Sequence, residues 1–252
     1  MTVESQQDVD GILQAGRIVA QVRDAMLGAI EPGMTTLELD EIGGRLLDRH
    51  GARSAPYVTY GFPGSTCISV NEEAAHGVPG DRVIEAGDIV NVDVSAEKNG
   101  YFADTGGTAV VPPGSATYSR LCHATQLALE AAIAQAKAGA PINRIGKAIQ
   151  KTAKTHGFRI IRNLAGHGIG RKLHEEPESI VGYFDRQDSR RLKLGQVIAI
   201  EPFLSTRSTF VTEAADGWTL VGHPASRSAQ YEHTIIVTKG APIVATRSQA
   251  GG

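Results

Sequence analysis

The chain has little sulfur chemistry to offer. Only two cysteines, Cys67 and Cys122, occur in 252 residues. They share no C-x-x-C spacing, so they read as small buried apolar residues in a reducing, cytoplasmic compartment. No apolar run approaches the roughly eighteen residues of a membrane-spanning helix. The first ten residues, M-T-V-E-S-Q-Q-D-V-D, are polar and acidic, unlike a secretory signal. Formal net charge is −2 and no block of Lys or Arg appears. Nucleic acid is thereby excluded as the main partner, because nothing supplies an electrostatic footprint. No low-complexity linker divides the chain, so residues 1–252 are expected to form one domain.

What is present repeats itself. Residues 16–33 and 122–139 each read as a helix running to a glycine, and a second helical stretch follows each. Thr35–His50 stops at Gly51, and Pro141–His156 stops at Gly157. Glycine just past a helix is the expected stop. The repeat continues into strands: E-A-G-D-I-V-N-V-D-V (85–94) matches L-K-L-G-Q-V-I-A-I-E-P (192–202). Asp93 and Glu201 each stand six residues after their glycine. The pattern predicts two pseudo-symmetric α+β halves, roughly 10–115 and 116–240, with these two acids facing one another. Residues 245–252 read as a flexible tail.

The acids stand where acids are depleted. Asp93 alternates with Val92 and Val94 in a β-branched run. The E-K-N-G stretch then predicts a hairpin that carries Asp104 on the partner strand. Glu201 ends one apolar strand and Glu232 heads another. A carboxylate buried without a partner costs several kcal/mol or takes up a proton. Four that converge need a counter-charge, and two divalent cations supply it. His167, set among Gly166, Gly168 and Gly170, reads as an exposed, neutral imidazole ligand. Three glycines in five residues argue against a helix there and for close approach to a phosphate, a metal or another strand.

Six stretches carry a specific resemblance: N-E-E-A-A-H-G-V-P, V-N-V-D-V, F-A-D-T-G, G-H-G-I-G-R-K-L-H-E-E-P, A-I-E-P and A-Q-Y-E-H-T-I-I-V. In this order, over residues 71–237, the chain resembles the type I methionine aminopeptidases. The resemblance implies the pita-bread fold, with two α/β halves and antiparallel sheet strands flanking a dinuclear metal site. It implies that Asp93 chelates one ion, that Asp104 and Glu232 bridge both, and that His167 and Glu201 complete the second. Manganese, iron, cobalt and zinc all suit such a set. It implies His76 and His174 as histidines flanking the substrate and Glu201 as a proton carrier. The implied reaction is removal of an N-terminal methionine from peptides and nascent chains when a small residue follows. A monomer, with transient association with the ribosome, is expected.

Phe62, Cys67 and Trp218 match the family's methionine pocket, and Thr59 falls where a tyrosine is common. Pro56 stands where cysteine is common and Leu173 where phenylalanine often precedes the second histidine. These departures touch the pocket's shape and leave the ligands alone. No cysteine cluster marks a zinc-binding extension, and the 174–201 interval has no room for the large helical insertion of type II members, so the short bacterial-type form is expected. Two rivals share the fold: an X-Pro-directed peptidase and a binding module without catalysis. Relatives of the first usually carry a large N-terminal domain, and those of the second lose ligands.

Overall fold

A computed structural model describes residues 1–248. Helix α1 spans Gln6–Ala29 and begins on a reciprocal cap. The Ser5 hydroxyl accepts from the Asp8 amide at 3.2 Å, and the Asp8 carboxylate accepts from the Ser5 amide at 3.2 Å. Helix α2, Thr36–Arg49, repeats this device with Thr35 and Glu38. Gly51 beyond it has a positive φ of 58°, as the sequence required. A short helix α3, Ala55–Tyr60, follows. The second helix pair is α4, Ala116–Ile133, and α5, Asn143–His156. Gly157 ends α5 in the left-handed conformation.

Two of the expected helix bounds shift. Helix α1 starts ahead of residue 16, because Ser5 and Asp8 cap it, and ends at Ala29, before Gly33. Helix α4 starts at Ala116 on a Ser115 cap and ends before Gly139. Past Ile133 the chain is drawn across to another segment: the Ala138 amide donates to the Thr238 carbonyl at 2.9 Å.

The α+β class holds. The strands Ile89–Lys98 and Tyr101–Val110 form a long antiparallel hairpin, which Cys67–Val70 and Arg53–Ser54 extend along its other edge. Asn99 and Gly100 make its turn, both with positive φ (54° and 78°), as an Asn-Gly hairpin turn demands. Helix α1 packs on this sheet beside α2, and Ile12, Val19, Met26, Leu39, Val92 and Val94 are buried between them. A second, five-stranded sheet runs in the order Ile243–Val244, His233–Ile236, Val197–Ile200, Ala165–Gly168, Glu175–Val181, with every pair antiparallel. Helices α4 and α5 pack together over it, burying Leu121, Ala128, Ile145, Ile149 and Ile198. Among the described residues, no helix is long and apolar enough to cross a membrane.

The tail expectation needs correction over 245–248; residues 249–252 lie outside the described residues. Ala245 and Thr246 are buried. The Ala245 amide donates to the Thr234 carbonyl, and the Thr246 hydroxyl accepts from the Thr234 amide at 3.1 Å. Arg247 pairs with Glu130 at 3.0 Å, and Ser248 donates to Asp24 at 2.6 Å. A polar sequence concealed backbone pairing that extends the five-stranded sheet.

Candidate metal centre and substrate cavity

The two sheets meet at the acids. Asp93 lies in mid-strand, paired with Cys67 on one side and Gly106 on the other. Asp104 is opposite Ser95, so Asp93 and Asp104 are diagonal neighbours on one face of the hairpin. From the second sheet come His167 in its strand, Glu201 just after Ile200, and Glu232 just before His233. Side chains stitch the sheets together here. The Asp104 amide donates to the Thr234 hydroxyl at 2.9 Å, and that hydroxyl donates to the Asp104 carbonyl at 2.8 Å. The Thr105 hydroxyl donates to the Glu232 carbonyl at 2.8 Å.

His167 Nε2 stands 3.5 Å from Glu201 Oε1 and 3.9 Å from Asp104 Oδ2. Ligand atoms of Asp104, His167 and Glu232 all lie within 4.8 Å of one another. His167 is 4 % exposed, which corrects the expectation of an open histidine. The glycines around it serve strand packing: a Cβ at Gly166 would run into the Ala199 carbonyl, and one at Gly168 into the Glu176 carbonyl. Of the partners that bare stretch allowed, neighbouring strands are the ones that approach it.

The electrostatics call for a cation. Burial, then the neighbouring carboxylates, push Asp93, Glu201 and Glu232 well above the usual carboxylate range. Burial raises Asp104 to about 6. Burial, with His174 and His76 adding to it, lowers His167 to about 3, leaving its imidazole neutral. Among the described residues, Asp104 Oδ1 and Glu232 Oε1 are buried without any hydrogen-bond partner. Unpartnered buried oxygens are costly, and these two belong to the cluster where a divalent ion would accept their lone pairs. The residues present therefore fit a divalent metal. Glu232 keeps its other oxygen on Gln230, whose Nε2 donates to it at 2.9 Å, and Asn91 in turn donates to Gln230 Oε1 at 2.9 Å.

A cavity of about 380 Å³ opens onto this cluster. Asp93, Asp104, His167 and Glu201 stand on its polar side, and Pro56, Phe62, Cys67, Leu173, Phe203 and Trp218 are among the residues that line the rest of the wall. The rings of Phe62 and Trp218 meet edge to face at 5.3 Å. His76 and His174 stand at the mouth, both exposed. His76 has a φ of 54°, unusual for a residue with a Cβ. The Ile68 amide donating to the Gly77 carbonyl at 2.9 Å and the Gly77 amide donating to Ser69 Oγ at 3.1 Å hold that turn. The rings of His167 and His174 lie 4.1 Å apart. Glu175, next to His174, accepts the Arg171 and Lys172 amides at 2.6 and 2.8 Å and pairs with the Met1 ammonium. Its part is to close the loop that carries His174.

One pocket position is misplaced by the sequence reading. Thr59 is exposed and absent from the cavity wall; Tyr60 is there instead. Helix α3 explains it, because Pro56 and Tyr60 are one turn apart on the same face and Thr59 turns outward. Phe203 and Leu164 were also missed; each is an apolar residue with no local signal to set it apart from core. Cys67 and Cys122 are free and buried.

The profile of metallopeptidase family M24 matches residues 10–239, and the chain belongs to that family. Membership of a metallopeptidase family implies divalent metal binding, and Asp104, His167 and Glu232 form the candidate cluster for it. Methionine aminopeptidase 2 of Bacillus subtilis is 47 % identical over 248 residues, 98 % of this chain and 100 % of the relative. The crystal structure of a methionine aminopeptidase from Thermotoga maritima superposes with a TM-score of 0.94 at 33 % identity, covering 98 % of this chain and 100 % of that one. A prolidase from Pyrococcus furiosus shares the fold at a TM-score of 0.79 and 24 % identity, and this chain accounts for 66 % of its length.

Proposed function

We propose that this chain hydrolyses the first peptide bond of chains beginning with methionine, preferring a small second residue. The observation that carries the reading is a cluster of four carboxylates, Asp104 and Glu232 buried and Asp93 and Glu201 half-buried, with a neutral histidine and two unpartnered oxygens, beside an apolar aromatic cavity. Its near-full-length likeness to methionine aminopeptidases supports the specificity, whereas the X-Pro peptidase likeness extends only to the fold.

In this reading Asp93, Asp104, His167, Glu201 and Glu232 hold two divalent ions, drawn from manganese, iron, cobalt or zinc. When bound, such ions polarise a carbonyl and bring water to reactivity near neutral pH. Glu201 moves the water's proton toward the leaving amine nitrogen. His174 donates a hydrogen bond to the scissile carbonyl oxygen as charge develops on it. His76 contacts the scissile amide nitrogen. Phe62, Trp218 and Cys67 seat the thioether, for which sulfur–aromatic contact adds modestly. The substrate's free amine lies on the Asp93 side, which confines cleavage to the first residue.

The test uses metal-stripped protein with Met-Ala-Ser, Leu-Ala-Ser and Met-Pro-Pro peptides, adding each metal back and following free amino acids by mass spectrometry. Metal-dependent methionine release from the first peptide, with leucine untouched, is expected. Leucine released at a similar rate would overturn the specificity. Release only from Met-Pro-Pro would turn the assignment to X-Pro cleavage. No release with any metal from folded protein would leave a binding module.

A further inference from the structure

Helix α3 ends by presenting Tyr60 to the mouth of the cavity, and Gly61, at a φ of 71°, turns the chain away behind it. The Tyr60 hydroxyl oxygen lies 2.7 Å from His174 Nδ1, and the two ring centroids are 5.6 Å apart. Among the described residues, that hydroxyl makes no other hydrogen bond within the chain. A neutral imidazole has one N–H and one bare nitrogen. The contact therefore has two states with opposite consequences. If Nδ1 donates to Tyr60, Nε2 is bare and can only accept. If Tyr60 donates to Nδ1, Nε2 carries the hydrogen.

We infer that the Tyr60 hydroxyl donates to His174 Nδ1 and thereby holds His174 in the Nε2–H form, with its donor nitrogen left for the substrate carbonyl. Tyr60 is thus a positioning residue that acts through His174. This rests on the reading of His174 as the donor to the scissile carbonyl. A carbonyl oxygen gaining negative charge needs a hydrogen-bond donor, and a bare Nε2 would repel it. Which nitrogen of a histidine carries the proton is set by the partner of the other one. Burial raises Tyr60 above the usual phenol range, so its hydroxyl keeps a hydrogen to give. The partner is also well placed sterically: Tyr60 is half exposed at the rim, and its ring needs no rearrangement for the hydroxyl to stay on Nδ1.

Tyr60→Phe removes the hydroxyl and keeps the ring, at a rim position where the fold does not depend on it. With Met-Ala-Ser, kcat is expected to fall about tenfold and KM to stay within about twofold, the worth of one lost orienting hydrogen bond. Nitrogen-15 spectra of the histidine rings, taken on metal-free and on zinc-loaded protein, provide a readout apart from turnover, with the His174 signals assigned by their loss in His174→Ala. The wild-type ring is expected as Nε2–H, and Tyr60→Phe as a mixture of both tautomers. A wild-type ring protonated at Nδ1 would overturn the inference. So would an unchanged kcat in Tyr60→Phe, or a rise in KM alone, which would make Tyr60 no more than a wall of the cavity. His174→Ala separates the two levels of the argument. Full kcat in that variant sinks the donor reading of His174 itself, while a kcat lost there and kept in Tyr60→Phe sinks only the role of Tyr60.

Discussion

The floor and the rim of the cavity are built differently. At the floor, Asp93, Asp104, His167, Glu201 and Glu232 sit in or directly beside strands whose register is fixed by ladder pairing and by Thr105, Thr234 and Gln230. At the rim, His76 lies on a strained turn, His174 on a loop, and Tyr60 at the end of a six-residue helix. A strand places alternate residues on one face, and a one-residue slip would move the whole set. A loop places each side chain by its own local turn. The floor is therefore rigid and expensive to alter, and the rim adjustable at small cost.

The largest effect expected from this contrast is at His167. His167→Ala removes the single imidazole from a set of carboxylates and leaves the Glu201 and Asp104 oxygens facing each other. Activity at saturating metal should fall by about a thousandfold or more, with weaker metal binding by calorimetry. A variant that binds metal and turns over normally would remove the floor from the chemistry.

Next comes stability without metal. Burial holds Asp104 at about 6 in the folded chain, above its ordinary 3.8. A raised folded pKa stabilises below the unfolded value and that stability is lost as pH rises through the folded one. Metal-free protein should therefore lose stability between pH 4 and pH 6 at this group, by about 3 kcal/mol in all. Asp93, Glu201 and Glu232, raised chiefly by burial as well, add in the same direction. Asp104→Asn cannot ionise, so metal-free Asp104→Asn should melt above metal-free wild type at pH 7, and the gap should shrink toward pH 4. Saturating metal should reverse the order. Thermal melts of the four samples across pH check this, and equal melting points at pH 7 would mean that burial does not hold Asp104 above its ordinary value.

The same contrast explains what could be read beforehand. Asp93 in V-N-V-D-V breaks a local rule, because an acid amid β-branched residues has no packing reason to be there. So do Glu201 and Glu232 at the ends of apolar runs. The helix pairs were legible for a similar reason, since Gly51 and Gly157 mark stops that backbone conformation requires. Asn99-Gly100 fixed the hairpin and so the diagonal placement of Asp104. The burial of His167 was not legible, because glycines signal close approach without naming what approaches. Residues 245–248 were not either, since backbone pairing leaves no mark on a polar sequence. Tyr60 was hidden behind Thr59, because matching to the family assigned Thr59 to the pocket and the phase of α3 brings Tyr60 there instead.

The smallest effect sharpens the comparison most at the rim. Thr59 and Phe62 are three residues apart, and both were assigned to the methionine pocket by sequence. Phe62 is 1 % exposed and stacks edge-on against Trp218, whereas Thr59 is exposed and turned from the cavity. Phe62→Ala should lower stability by about 3–5 kcal/mol and raise KM for methionine peptides, as a buried ring is replaced by a void. Thr59→Ala should leave kcat, KM and the preference for methionine over leucine within about twofold, the range of an ordinary surface substitution. Measured together with the same two peptides, they separate a residue that forms the wall from one that merely sits beside it in the chain. A change in methionine preference from Thr59→Ala would require α3 to rotate about one residue position in the working enzyme, which would carry Tyr60 off His174 as well.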